Sequence, residues 1–206
     1  MSVSLYKPNS KNTGCGFSFQ TGVDNKNKEP ALYVKAIKQH SWDQSKKQGY
    51  FSKNAGDPEK NIVVKFNEFE CGEIINSINN RKEYNTFHSF GNDKTVIKFN
   101  LWDKKTKKSE KSASGEWKEV WVTIPAFSIS FTRNGNQVFG IGLEPGEAEV
   151  IKQYLQQFLS ILFSERIEKQ QKQMQNKNQT KESKESKESK EEKIEELDEF
   201  SEEAPF

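Results

Sequence analysis

Residues 126–167 read AFSISFTRNGNQVFGIGLEPGEAEVIKQYLQQFLSILFSERI, and this stretch decides the fold class. Phe127, Ile129 and Phe131 alternate with polar residues, the period of a half-buried strand. Asn134-Gly135 is a strong hairpin-turn signal, and a second strand resumes at Gln137. The period then changes. Pro145 suits the first helical position, and Glu147 and Glu149 suit a first turn, where the helix dipole favours negative charge. Val150, Ile151, Tyr154, Leu155, Phe158, Leu159, Leu162 and Phe163 form a wide apolar stripe that must pack on a sheet or on another subunit. A hairpin feeding a long amphipathic helix is an α+β signature.

Upstream, the same half begins with EYNTFHSF (83–90) and KTVIKFNLWD (94–103), both read as strands. Ile97, Phe99 and Leu101 share one face of the second; Lys98, Asn100 and Trp102 share the other. The lysine- and serine-rich residues 104–116 read as a flexible loop. WKEVWVTI (117–124) then alternates, with Val120, Val122 and Ile124 opposite Trp117, Glu119 and Trp121. The first half repeats the plan. GCGFSFQTG (14–22), ALYVKAIKQ (31–39), Gly49–Lys53 and NIVVKFN (61–67) predict four strands. EFECGEIINSINNR (68–81) predicts a helix with Phe69, Ile74, Ile75 and Ile78 as its apolar positions. The body is therefore two tandem strand-strand-strand-strand-helix units with antiparallel sheets.

The ends differ from the body. Residues 1–12 are polar and read as a flexible N-terminus; 13–170 is the folded domain. Residues 171–206 read as a disordered linker and acidic tail, with Lys-Glu-Ser recurring at 181–183, 184–186 and 187–189. Low apolar content fits that division. Hydrophobic residues are 32% and charged residues 30% of 206, and mean hydropathy is -0.95. No run reaches the ~18 apolar residues of a membrane span. Met1 to Lys11 has no apolar stretch of the signal-peptide kind, so a cytoplasmic location, a nucleoid or viral replication site included, is expected. Cys15 and Cys71 are too few for a disulfide scaffold or a four-cysteine zinc site and read as small buried groups.

The net charge of +2 conceals an asymmetry. Residues 1–170 hold 25 Lys and Arg against 19 Asp and Glu, a net +6; residues 171–206 hold 7 Lys against 11 acids, a net -4. Within the tail, 191–206 has 8 acids and only Lys193, a net -7. A basic body attracts a polyanion, and an acidic end competes with that polyanion or binds a basic partner.

Sequence-independent binding of single strands needs cations for phosphates and aromatic faces for bases. Strand parity places Tyr33 and Lys35 on one outer face, Lys98 and Trp102 on another, and Trp117 and Trp121 on a third. Trp42, Lys46, Lys47, Tyr50, Phe51 and Lys53 cluster around a second hairpin. Lys65, Lys104, Lys105 and Arg133 are further candidate phosphate contacts. The competing reading is that these aromatics cover a subunit interface.

Catalysis is poorly supported, and no enzyme activity, cofactor or metal is expected. His40 and His88 have no metal-ligand spacing, and His88 reads as a structural side chain. No nucleophile-elbow, Walker or Cys-x-x-Cys motif occurs. Phe139-Gly140-Ile141-Gly142 lacks the third glycine and the following βαβ unit of a dinucleotide fingerprint.

A resemblance adds to this reading. VVKFNEFECGEIINSINN followed by EYNTFHSF is similar to the central stretch of the Whirly single-stranded DNA-binding proteins. The final hairpin and helix, with the acidic-Ala-acidic step Glu147-Ala148-Glu149, resemble the end of that family's domain. Related PC4-like folds have one strand–helix unit per subunit, and the Whirly type has two in tandem. The resemblance implies that plan over roughly residues 14–163, single-stranded DNA as ligand, and a homo-oligomer, a tetramer being the family's form. The lysine-rich KGKAAL-type motif of plant members is absent, and ALYVKAIK stands in its place. Assembly that depends on that motif, and individual DNA contacts, are therefore not carried over.

The chain also ends in DEFSEEAPF, similar to the acidic Pro-Phe tails of bacterial and phage single-stranded DNA-binding proteins. Asp198, Glu199, Phe200, Glu202, Glu203, Pro205 and Phe206 would form a docking peptide. The acids steer it to basic partners, the terminal ring fills a pocket, and the α-carboxylate pairs with a cation. The expected function is to coat strands exposed in replication, recombination or repair, and to recruit replication or repair proteins. A phage or bacterial replicon is one home for such a protein. The alternatives are an RNA-binding or transcription-regulating protein of the same fold, an OB-fold binder, and an assembly protein. The long terminal helix disfavours the OB-fold.

Overall fold

The inward residues of two four-stranded antiparallel sheets build the core of this α+β protein. A computed structural model describes residues 2–112 and 115–199. The first sheet has the order β1 (Ser2–Lys7), β2 (Cys15–Val23), β3 (Pro30–Lys38) and, after an excursion, β6 (Asn61–Phe66). The excursion is a small hairpin of β4 (Ser41–Asp43) and β5 (Gln48–Tyr50), followed by a 3-10 turn at Ser52–Asn54. Helix α1 (Glu68–Asn80) closes the first half. The second sheet runs β7 (Tyr84–Phe90), β8 (Asp93–Lys111), β9 (Trp117–Arg133), β10 (Gln137–Leu143), and α2 (Pro145–Glu199) follows. Four strands and a helix, twice over, is the plan the sequence implies.

Alternation fills the core. Phe17, Phe19, Leu32, Val34, Val64 and Phe66 point inward from the first sheet. Ile97, Phe99, Phe127, Ile129, Phe131, Phe139 and Ile141 point inward from the second. The rings of Phe17 and Phe131 meet edge-on at 5.0 Å between centroids, and Phe66 stands 6.0 Å from Phe131. Burying each such side chain stabilises the fold by roughly 1.5–3 kcal/mol. Ile151, Leu155, Phe158 and Leu162 of α2 join this core, and Tyr154 bonds Thr21 Oγ1 through its hydroxyl at 2.8 Å.

Both helix starts are capped. Asn67 Oδ1 accepts from Glu70 N, and Glu70 Oε2 accepts from Asn67 N, a reciprocal capping box. At α2, Glu147 Oε2 accepts from Glu144 N, with Pro145 at the first helical position. Glu70 also receives His88 Nε2 at 2.5 Å, so His88 ties β7 to the start of α1.

Several expectations need correction. Residues 2–7, expected to be flexible, form the edge strand β1, because Val3 and Leu5 pack on the core opposite Phe19 and Phe17. Residues 104–111, expected in a loop, continue β8 and pair residue for residue with β9, from Lys104↔Ile124 to Lys111↔Trp117. The strand also runs through Pro125, a residue tolerated in a strand where its nitrogen owes no ladder bond. The strand expected at Gly49–Lys53 stops at Tyr50, and Lys53 lies in the 3-10 turn. Phe69 is exposed, and Cys71 takes the buried place on α1. Val150 and Phe163 of the apolar stripe are also exposed.

The chain divides into two compact units, Met1–Leu162 and Phe163–Phe206. In the second, helical backbone continues to Glu199, past the boundary expected at 170. Phe200, Glu202, Glu203, Pro205 and Phe206 lie outside the described residues. No helix among the described residues is long and apolar enough to cross a membrane.

Candidate nucleic-acid interface

Register fixes what the outer face of each sheet displays. On the first, Tyr6 stands opposite Gly16, and Gly16 opposite Ile37. The next row is Ser4, Ser18, Lys35 and Val63; the next is Ser2, Gln20, Tyr33 and Lys65. On the second, Phe87, Val96, Thr132 and Val138 form one row, and Asn85, Lys98, Ser130 and Gly140 the next. Trp102 stands opposite Ala126 near the end of that sheet.

Tyr6, Tyr33 and Trp102 share a device: their rings lie across glycines of neighbouring strands. A Cβ on Gly16 would stand 2.4 Å from Cδ1 of Tyr6, and one on Gly142 would stand 2.6 Å from Cζ3 of Trp102. Tyr33 covers Gly22 in the same manner, at 3.2 Å. A ring so seated is held against the sheet on one side; that of Tyr6 also meets the Phe51 ring at 4.9 Å between centroids. Tyr6 remains 49% exposed and Trp102 43%. Such faces suit base stacking, which is tolerant of sequence because every base has a π-face.

The candidate cations separate into two groups. Lys65 donates to Asp24 Oδ2 at 2.6 Å, a bond that holds the Asp24 carboxyl below its ordinary range. Lys104 pairs with Glu144 and likewise lowers that carboxyl. Arg133 donates to the main-chain oxygens of Pro58 at 2.7 Å and Asn61 at 3.0 Å, clasping the start of β6. These three serve the fold. Lys35, Lys46, Lys47, Lys53, Lys98 and Lys105 make no ion pair among the described residues. Lys35 and Lys98 stand on the two outer faces.

Trp117 and Trp121 do not join Trp102. Their register partners Lys111 and Lys107 share the parity of Leu101 and Phe127, the core side of the sheet, which the β8–β9 ribbon carries beyond the core. They are 71% and 68% exposed. Lys107 lies 5.3 Å from the Trp121 ring and bonds Glu119 Oε2 at 2.6 Å, so one face of that ring is already occupied. Lys105 shares this side of the ribbon.

The β4–β5 hairpin carries the remaining candidates. Trp42 is half-buried, and its Nε1 donates to Gln44 Oε1 at 2.9 Å. Asp43 Oδ1 accepts from the main chain of Ser45 and Lys46, shaping the turn that presents Lys46 and Lys47. Tyr50 and Phe51 line a groove of about 620 Å³ together with Tyr6 and Lys35 of the first sheet. Tyr6 was missed because its strand read as flexible; the alternation of SVSLYK was its one signal. Gln39 was missed too. It is buried, accepts from Asn9 N at 2.9 Å, and donates to the carbonyls of Asn9 and Ser41, joining the β1 end to the hairpin base.

Among the described residues no cluster of His, Cys, Asp and Glu could hold a metal ion. Burial pushes the Cys15 thiol up to about 11 and the Cys71 thiol up to about 12, so neither is a ready nucleophile.

No protein-family model and no curated protein sequence matches the chain. Solved structures similar to it include WHY3 from Arabidopsis thaliana, at 15% identity over 79% of this chain and 88% of that one, with a TM-score of 0.45. WHY1 from Arabidopsis thaliana is similar at 13% identity over 79% and 90%, with a TM-score of 0.46. The plant transcriptional regulator PBF-2 is similar at 13% identity over 81% and 84%, with a TM-score of 0.44.

Proposed function

We propose that this chain is a non-enzymatic single-stranded DNA-binding protein that holds the strand on the outer faces of its two sheets. One observation carries the reading. Both outer faces carry an aromatic ring seated over a glycine and a lysine with no acidic partner among the described residues: Tyr6, Tyr33 and Lys35 on the first, Trp102 and Lys98 on the second. Stacking on such rings contributes about 1–3 kcal/mol per base, and the lysines add a salt-dependent share.

In this reading the protein coats strands exposed in replication, recombination or repair, inside the cell, as a homo-oligomer for which a tetramer is one form. The acidic 191–206 segment, net -7, recruits basic replication or repair partners and competes with DNA for the basic body. The test is fluorescence anisotropy with labelled oligo-dT and its duplex at two salt concentrations. Tight, salt-weakened binding to the single strand alone is expected; equal binding to duplex, or none, overturns the reading. A matched RNA competitor decides between DNA coating and the RNA-binding alternative.

A further inference from the structure

We infer that the groove between the β4–β5 hairpin and the first sheet is a nucleobase pocket that gives this protein a base preference; the inference rests on the single-strand reading above. The two halves of the chain repeat one plan, but only the first inserts a hairpin before its last strand. Among the described residues the outer face of the second sheet has no such insertion. On the first, the hairpin borders an open groove of about 620 Å³, within the range of pockets that bind small ligands.

The lining has the chemistry of a nucleotide. Tyr6 and Phe51 meet at 4.9 Å between centroids and 57° between planes, giving the groove an aromatic wall. Lys35 on the floor and Lys47 on the rim bring positive charge without a carboxylate partner among the described residues. Gln20 and Gln48 also line the groove, and their amides make no side-chain hydrogen bond among the described residues. Each amide offers a donor and an acceptor side by side, the pattern that pairs with the edge of a base.

The pocket is also preformed. Gln39 pins the hairpin base to the end of β1, and Gly49 lies so close to Pro8 that a Cβ there would stand 2.3 Å from the proline Cβ. A second groove of about 550 Å³ lies between β6 and β7 but does not offer the same chemistry. Its basic side chains are engaged: Lys65 with Asp24, Arg133 with two carbonyls, His88 with Glu70.

The experiment compares anisotropy of labelled dA, dC and dT homo-oligomers of one length on the full chain, on Gln20→Ala/Gln48→Ala and on Phe51→Ala. The expected result is a spread of about fivefold or more between the best and worst base in the unmodified protein. The glutamine double variant narrows that spread to about twofold while keeping the salt dependence. Phe51→Ala weakens binding of every oligomer. Because homo-oligomers also differ in their own stacking, a spread that survives unchanged in the glutamine variant overturns the pocket, as does equal affinity in the unmodified protein. Either result leaves single-strand binding standing; failure of all three oligomers to bind removes both readings.

Discussion

The indole of Trp102, on β8, lies over Gly142, on β10, so closely that a Cβ on the glycine would stand 2.6 Å from Cζ3 of the ring. The ring spans β9 to reach it, over Ala126, which is fully buried. Glycine is therefore needed at 142 to seat the ring. Trp102→Ala is expected to weaken single-strand binding by about 1–3 kcal/mol with the fold retained, as read by anisotropy and a thermal melt. Gly142→Val should act in the same direction, by lifting the ring off the sheet. A large fall in melting temperature for Trp102→Ala would show that the ring serves the core.

Phe131 touches both Phe17 and Phe66 and joins the inner faces of the two sheets. Phe131→Ala should destabilise the protein by about 3–5 kcal/mol, measured by denaturant unfolding. Its effect on DNA binding should vanish under conditions where the variant is fully folded.

Lys35 and Lys98 belong to the outer faces and have no acidic partner among the described residues, whereas Lys65 and Arg133 are engaged. Replacing Lys35 and Lys98 by Gln should each reduce the slope of log affinity against log salt by about 0.7. Lys65→Gln should leave that slope nearly unchanged. The opposite ranking would place the phosphate path elsewhere.

The strand plan was legible because the core residues alternate: Phe127, Ile129 and Phe131, and likewise Phe17 and Phe19, carry the period in one dimension. The ribbon of 104–111 was not legible, since this strand segment has no apolar residue and its pairing partner supplies all of the hydrophobicity. Tyr6 was hidden for a related reason. Its strand is short and gains its place only from β2, at long range. For the site, sequence supplied the aromatic and cationic inventory but not the partners that separate Lys65, Lys104 and Arg133 from Lys35 and Lys98. Parity also misplaced two rings: it put Trp117 and Trp121 on an outer face, whereas they share the core side of a ribbon that has left the core.

Burial raises both thiols, to about 11 for Cys15 and about 12 for Cys71, so the folded state favours their neutral forms. Unfolded, each would ionise near 8.5. Their contribution to stability is thus fully present below that value and is lost as pH rises through the folded values. Alkylation at pH 8 should be slow in the native protein and fast in denaturant. Equal rates would show that the thiols are open to solvent.

Removal of 191–206 takes away a net charge of -7. DNA binding should be unchanged or tighter, most clearly at low salt, while capture of basic partner proteins is lost. Weaker DNA binding by the truncated chain would contradict the competing-polyanion account.

The central claim, that the outer sheet faces carry the strand, is tested most directly by ultraviolet crosslinking of an iodouracil-substituted oligonucleotide, with the joined peptides identified by mass spectrometry. The account predicts crosslinks at Tyr6, Tyr33, Tyr50, Phe51 and Trp102. Crosslinks confined to Trp117 and Trp121 on the ribbon, or to α2, would contradict it.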